Sequence, residues 1–122
     1  MKVKIDTKEK MHVITIHEPD IAANMTEKMD KALTALLDQN VKNVVINMQD
    51  IKKLDNAAAA CFIKLQHLFN ERQASFVVCN LQSGVKELLA SRDLLGQLNI
   101  THTESEAMDI VQMEELEREI GL

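Results

Sequence analysis

Three short polar stretches hold the side chains best suited to chemistry. They are His17-Glu18-Pro19-Asp20 running on to Asn24, Gln49-Asp50 running on to Asp55-Asn56, and Asn80-Leu81-Gln82-Ser83. Carboxylates, amides and imidazoles in loops are the raw material of acid–base catalysis, metal binding or recognition. The first two uses fail on spacing. His12 and His17 lie an odd number of residues apart in one run, so on a strand they face opposite ways and cannot share a metal. His67 lacks the set of neighbouring ligands that defines a zinc site. No Ser or Cys stands in a nucleophile-elbow context. The glycines, Gly84, Gly96 and Gly121, build neither a dinucleotide nor a nucleotide-phosphate loop. The expectation is a non-enzyme with no catalytic residues, no metal and no cofactor. Catalysis has little to stand on.

Composition narrows the class of protein. The chain has 122 residues, enough for one domain with a real core, and a net charge of -5. An acidic chain without Trp or Tyr and with three Phe has neither the charge nor the stacking platforms that nucleic acid needs. No apolar run approaches the roughly 20 residues that cross a bilayer, and Met1-Lys2-Val3-Lys4-Ile5-Asp6 contains no signal-peptide core. Cys61 and Cys79 form no CxxC pair and sit in apolar runs, as reduced, buried thiols do. These features point to a cytoplasmic protein that inserts into no membrane. The sequence assigns no oligomeric state.

The elements that must position those loops follow from periodicity. Lys2 to Asp6 and His12 to His17 read as a strand pair, the second strand ended by Pro19. Met25, Met29, Ala32, Leu33, Leu36 and Leu37 make one helical stripe, with Asn24 as candidate N-cap. Val44 to Met48 and Ser75 to Cys79 are almost continuously apolar, the pattern of strands covered on both faces. Between them Ala58, Cys61, Phe62, Leu65, Leu68 and Phe69 repeat at helical spacing, with Asn56 placed to cap and Asp55 near the positive end. A helix over 83–90, an edge strand over 98–100 and a final helix opened by the capping box Thr103-x-x-Glu106 complete the chain. The acidic end, residues 114–122, reads as a solvated extension of that helix. The order β-β-α-β-α-β-α-β-α predicts one α/β domain over residues 1–122, with a mixed, mostly parallel sheet and an antiparallel first strand. In such sheets partners and ligands meet the carboxyl ends of the strands, where the three polar stretches gather.

The stretch from Val44 to Ala58 resembles the STAS (anti-sigma factor antagonist) pattern: a buried strand, a short loop, then Asp-Ser-Ser-Gly opening a helix. Asp20-Ile21-Ala22-Ala23-Asn24 is similar to that family's Asp and following Asn. Val77 to Leu81, Val85 to Leu89 and Thr103 to Ala107 are similar to its later elements. The resemblance implies a protein-binding regulatory domain whose partner is an anti-sigma factor that is also a serine kinase. In the family, phosphorylation of the second Ser ends binding, since it adds about -1.5 to -2 charges beside a carboxylate. Here Asn56 replaces the first Ser, Ala57 the phosphorylatable Ser, and Ala58 the Gly. The resemblance therefore implies a docking surface of Asp20, Asn24, Asp55, Asn56, Ala57 and Ala58 that the usual switch cannot reach. Ala58 and its neighbours have a second explanation, since Ala is the best helix former and packs closely on a sheet. Two other readings stand beside this one: a subunit bound to the ABC ATPase of a lipid transporter, and a small-molecule sensor with a pocket at the strand ends.

Overall fold

The computed structural model describes residues 1–121. In chain order the elements are β1 (Val3–Thr7), β2 (Met11–Ile16), β3 (Asp20–Ile21), α1 (Ala23–Leu36), β4 (Asn43–Asn47), β5 (Lys53–Leu54), α2 (Asn56–Glu71), β6 (Phe76–Cys79), α3 (Ser83–Ser91), a 3-10 turn (Leu95–Gln97), β7 (Ile100–Thr101) and α4 (Glu104–Glu119). The main sheet runs β1-β2-β4-β6-β7. Its first pair is antiparallel and the rest are parallel. The α/β architecture, the helix count and the antiparallel first strand are as the sequence predicts.

Two features depart from that expectation. β3 and β5 pair parallel in a small sheet of their own, which no periodicity announces because each has two residues. The last strand begins at Ile100 rather than Leu98: Leu98 leaves the 3-10 turn pointing into the core instead.

The buried strands explain their own composition. Along β4, Val44 and Ile46 face α1 and α2, while Val45 faces α4; along β6, Phe76 and Val78 face one way, Val77 and Cys79 the other. A strand with helices on both faces must be apolar at every position. The three phenylalanines, Phe62, Phe69 and Phe76, are fully buried. Phe69 and Phe76 meet with ring centroids 5.2 Å apart and planes tilted by 54°, an arrangement worth about 0.5–1.5 kcal/mol beyond burial. Both cysteines are free and buried. Burial pushes the Cys79 thiol up to about 12, helped by the negative charge of Glu104, and raises that of Cys61 as well.

α4 is alone on its face, where Ala107 and Val111 meet Met11, Val13, Val45, Val77 and Cys79. Polar ties at both ends of the helix supplement this small apolar contact. At its start Asn47 donates to Glu104 at 3.1 Å. The Thr103 hydroxyl accepts from Glu106 N at 3.1 Å and donates to its carboxylate at 3.0 Å. At its end Asn43 donates to Glu115 at 2.7 Å and to Lys10 O at 2.9 Å, and accepts from Ser75 N at 2.8 Å. Ser75 donates to Glu114 at 2.6 Å, and Arg118 reaches Asn43, Ser75 and Glu115. The acidic end is thus not a free extension: Glu114, Glu115 and Arg118 anchor it to the sheet, while Met113, Leu116 and Ile120 face outward. Residue 122 lies outside the described residues.

The Asn43 amide and then the Arg118 guanidinium hold the Glu115 carboxyl below its ordinary value, against an opposing effect of burial. A carboxylate whose folded value is depressed contributes stability that is complete above its unfolded value and is lost as pH falls through the folded one. Glu115→Gln is therefore expected to melt below the native chain at neutral pH. The gap should persist down to about pH 4.3 and close at lower pH, as read by thermal unfolding across a pH series.

Candidate functional site

The small β3/β5 sheet brings the first two polar loops together. Lys52 N and Lys53 N donate to Pro19 O at 2.7 and 3.1 Å, and Asp55 N donates to Ile21 O at 3.1 Å. His17 Nδ1 lies 2.7 Å from an Asp50 carboxylate oxygen. The third loop joins through Gln82, whose amide donates to Gln49 O at 2.6 Å. A methyl group on Gly84 would lie 3.3 Å from Lys52 O, which measures how closely the start of α3 approaches that loop. Asn80 turns the chain after β6 with φ at 57°, a left-handed conformation that Asn tolerates better than most residues. All three loops meet at the carboxyl end of the sheet.

Asp55 organises the centre of this edge. One carboxylate oxygen accepts from Ala58 N at 2.9 Å, making Asp55 the N-cap of α2. The other accepts from Ala23 N at 2.6 Å, at the start of α1. A single side chain thus satisfies orphan N–H donors of two helices and places its charge at both positive ends. This corrects two sequence expectations. Asn24 does not cap α1: the N-cap position is Ala22, which has no capping side chain, and Asn24 is exposed in the first turn. Asn56 does not cap α2 and is instead its first helical residue. Local sequence favours both caps, whereas the donor at Ala23 is satisfied from 32 residues away.

The remaining candidates divide by burial. Asp20, Asn24, Asn56 and Ala57 are exposed. Ala58 is fully buried and packs α2 onto the core, so it offers nothing to a partner. Its place is taken by Ala60, exposed one turn on from Ala57. Ala57 and Ala60 line an open groove of about 350 Å³ between α1 and α2, with Thr26, Glu27, Asp30, Cys61 and Lys64. The Thr26 hydroxyl donates within its own helix, to Ala23 O at 2.8 Å. Lys64 bridges to Asp30 at 3.1 Å. The sequence signal for Ala60 was its distance of three residues from Ala57, which puts both on one helix face. Chemically the groove provides a shallow, small-residue surface whose two carboxylates are each met by a lysine, Glu27 by Lys31 at 3.0 Å and Asp30 by Lys64. Among the described residues no group of three or more His, Cys, Asp or Glu is arranged to hold a metal, and no helix is long and apolar enough to cross a membrane.

A family model described as the STAS domain matches residues 2–107. Solved structures share the fold. An anti-sigma factor antagonist of Thermotoga maritima is 14% identical, with a TM-score of 0.76 over 90% of this chain and 94% of its own. A variant of Moorella thermoacetica RsbS is 18% identical, with a TM-score of 0.76 over 97% of this chain and 99% of its own. The anti-sigma factor antagonist SpoIIAA in its unphosphorylated form is 16% identical, with a TM-score of 0.73 over 91% and 96%. A phosphorylated form of SpoIIAA has also been solved. Comparison with curated protein sequences finds no match.

The shared cap makes a graded prediction. Asp55→Ala removes both acceptors and should cost about 2 kcal/mol, at roughly 1 kcal/mol per cap. Asp55→Asn keeps one acceptor oxygen and should cost about half as much. Chemical denaturation of the three proteins measures both values.

Proposed function

Because the chain belongs to the STAS domain family, we propose that it works by docking a partner protein through the edge built around Asp55, and that it performs no catalysis. The docking surface is Asp20, Asn24, Asn56, Ala57 and Ala60, with Asp55 holding the two helices that carry them. The partner is an anti-sigma factor of the serine-kinase type, met in the cytoplasm. What supports this reading is the exposed Ala57, second residue of α2 and part of an open groove of small residues.

A hydroxyl at that position would be accessible, and a phosphate on it would bring about -1.5 to -2 charges two residues from the Asp55 carboxylate. A methyl group in its place keeps the surface small and unmodifiable. The reading is therefore a binder that its partner cannot release by phosphorylation at this position. Of the alternatives raised by the sequence, an ABC ATPase partner would use the same kind of surface, whereas a small-molecule sensor would need a more enclosed pocket than this open groove.

The test pairs capture with a binding measurement. The wild-type chain is used to isolate its partner from the source cells, and affinity is then measured by calorimetry with and without ATP and Mg²⁺. Wild type should bind equally well in both conditions and carry no phosphate by mass spectrometry. Ala57→Glu should weaken binding tenfold or more with its melting temperature unchanged. Ala57→Ser should bind, become phosphorylated at the new hydroxyl and then release. A phosphate on Thr26 of the wild type, ATP-dependent release of the wild type, or full affinity of Ala57→Glu would overturn the proposal.

A further inference from the structure

β1 is the long open edge of the main sheet; the opposite edge, β7, has two residues. Every residue of β1 is exposed. Met1, Val3 and Ile5 expose 43%, 43% and 56% of their surface along an apolar groove of about 210 Å³ that continues onto Met29, Ala32 and Leu33. An open strand edge beside exposed apolar side chains is a template for another strand. From these observations we infer that β1 pairs antiparallel with β1 of a second copy of this chain, making one sheet across the two.

The backbone decides which groups are available. His17 N donates to Lys2 O, and Lys8 N donates to Met11 O, each at 2.8 Å. In the antiparallel register of β1 with β2, even-numbered residues therefore point their N–H and C=O groups at β2. Val3, Ile5 and Thr7 point theirs outward. A two-fold axis through Ile5, normal to the sheet, sets Ile5 against Ile5 of the second copy and Val3 against its Thr7. Each outward N–H then has a carbonyl opposite.

The side chains select that register. Centred on Ile5, Lys4 faces Asp6 of the second copy and Asp6 faces its Lys4, two opposite-charge pairs directly across the strands. Centring on Lys4 or Asp6 sets each of those charges against itself. Centring on Ile5 is also the register that pairs all five residues of β1. Outside the strand Lys2 faces Lys8 of the second copy, and Asp6, which lies 3.3 Å from Lys8 of its own copy, is shared between that lysine and Lys4 of the second copy. Val3 and Ile5 of both copies lie on the α1 face and close the apolar groove from both sides, as an isologous contact requires. This groove lies on the flank of α1 away from Ala57 and Ala60, so dimer formation and partner docking are compatible.

Sedimentation velocity on the full chain from micromolar to millimolar concentration tests the inference. The mass should rise from 13.8 kDa towards twice that value. Lys4→Asp and Asp6→Lys should each weaken dimerisation about tenfold or more, and the double swap, which restores complementarity, should recover it to within about threefold. Ile5→Pro removes an outward N–H that the monomer does not use and should abolish the dimer, circular dichroism confirming the fold. A chain that stays monomeric throughout the range overturns the inference. So does a dimer indifferent to the single charge variants, or a double swap no stronger than either single one.

Discussion

One carboxylate holds two helices. The Asp55 side chain accepts from Ala58 N and from Ala23 N, so the starts of α1 and α2 are tied to the same pair of oxygen atoms. The short β3/β5 ladder fixes the chain just ahead of both helices, through Ile21 and Leu54. Ile21 and Leu54 are themselves buried, which sets the depth at which each helix begins. Any surface made of residues from the first turns of α1 and α2 inherits its shape from this arrangement. A free loop bearing the same residues would have to be ordered on binding, at about 1–2 kcal/mol per residue of backbone entropy. Here that ordering is complete in the folded chain.

The two faces of the sheet are stabilised differently. The face under α1, α2 and α3 carries the larger apolar cluster, including all three phenylalanines. The face under α4 has a small cluster and depends on hydrogen bonds at both helix ends. Those at the far end engage charged groups, Glu114, Glu115 and Arg118, and hydrogen bonds to charged groups contribute about 1.5–3 kcal/mol each. Buried polar residues are consistently partnered: His12 lies 2.8 Å from the Thr7 hydroxyl and 3.0 Å from Val41 O, and Gln66 accepts from Asn99 N at 3.0 Å. The chemistry-bearing side chains of the interior are thereby committed to structure.

The family resemblance and the geometry of the site bear on different questions. Resemblance rests on the order and spacing of segments, and survives at identities of 14–18% to the solved structures because apolar periodicity tolerates exchange among Val, Ile, Leu and Met. The segment that opens α2 is a local matter, set by the three residues Asn56, Ala57 and Ala58. Burial separates them: Asn56 and Ala57 belong to the surface, whereas Ala58 belongs to the core.

Sequence by itself determined the layered α/β arrangement, the two-sided strands Val44 to Met48 and Ser75 to Cys79, and the amphipathic faces of α1 and α2. Each of these is a local property, written in side-chain period or residue type. Tertiary structure alone decided that Asp55 serves two helices, that Asn24 caps neither, that Ala58 is inaccessible, and that the acidic end is anchored through Asn43 and Ser75. The reason is physical. A hydrogen-bond donor at a helix start can be satisfied by any acceptor that the fold brings within 3 Å, and Ala23 meets Asp55 across 32 residues of chain. A two-residue strand such as β3 or β5 has no period to read; its only trace is an isolated apolar residue, Ile21 or Leu54, two positions before each helix.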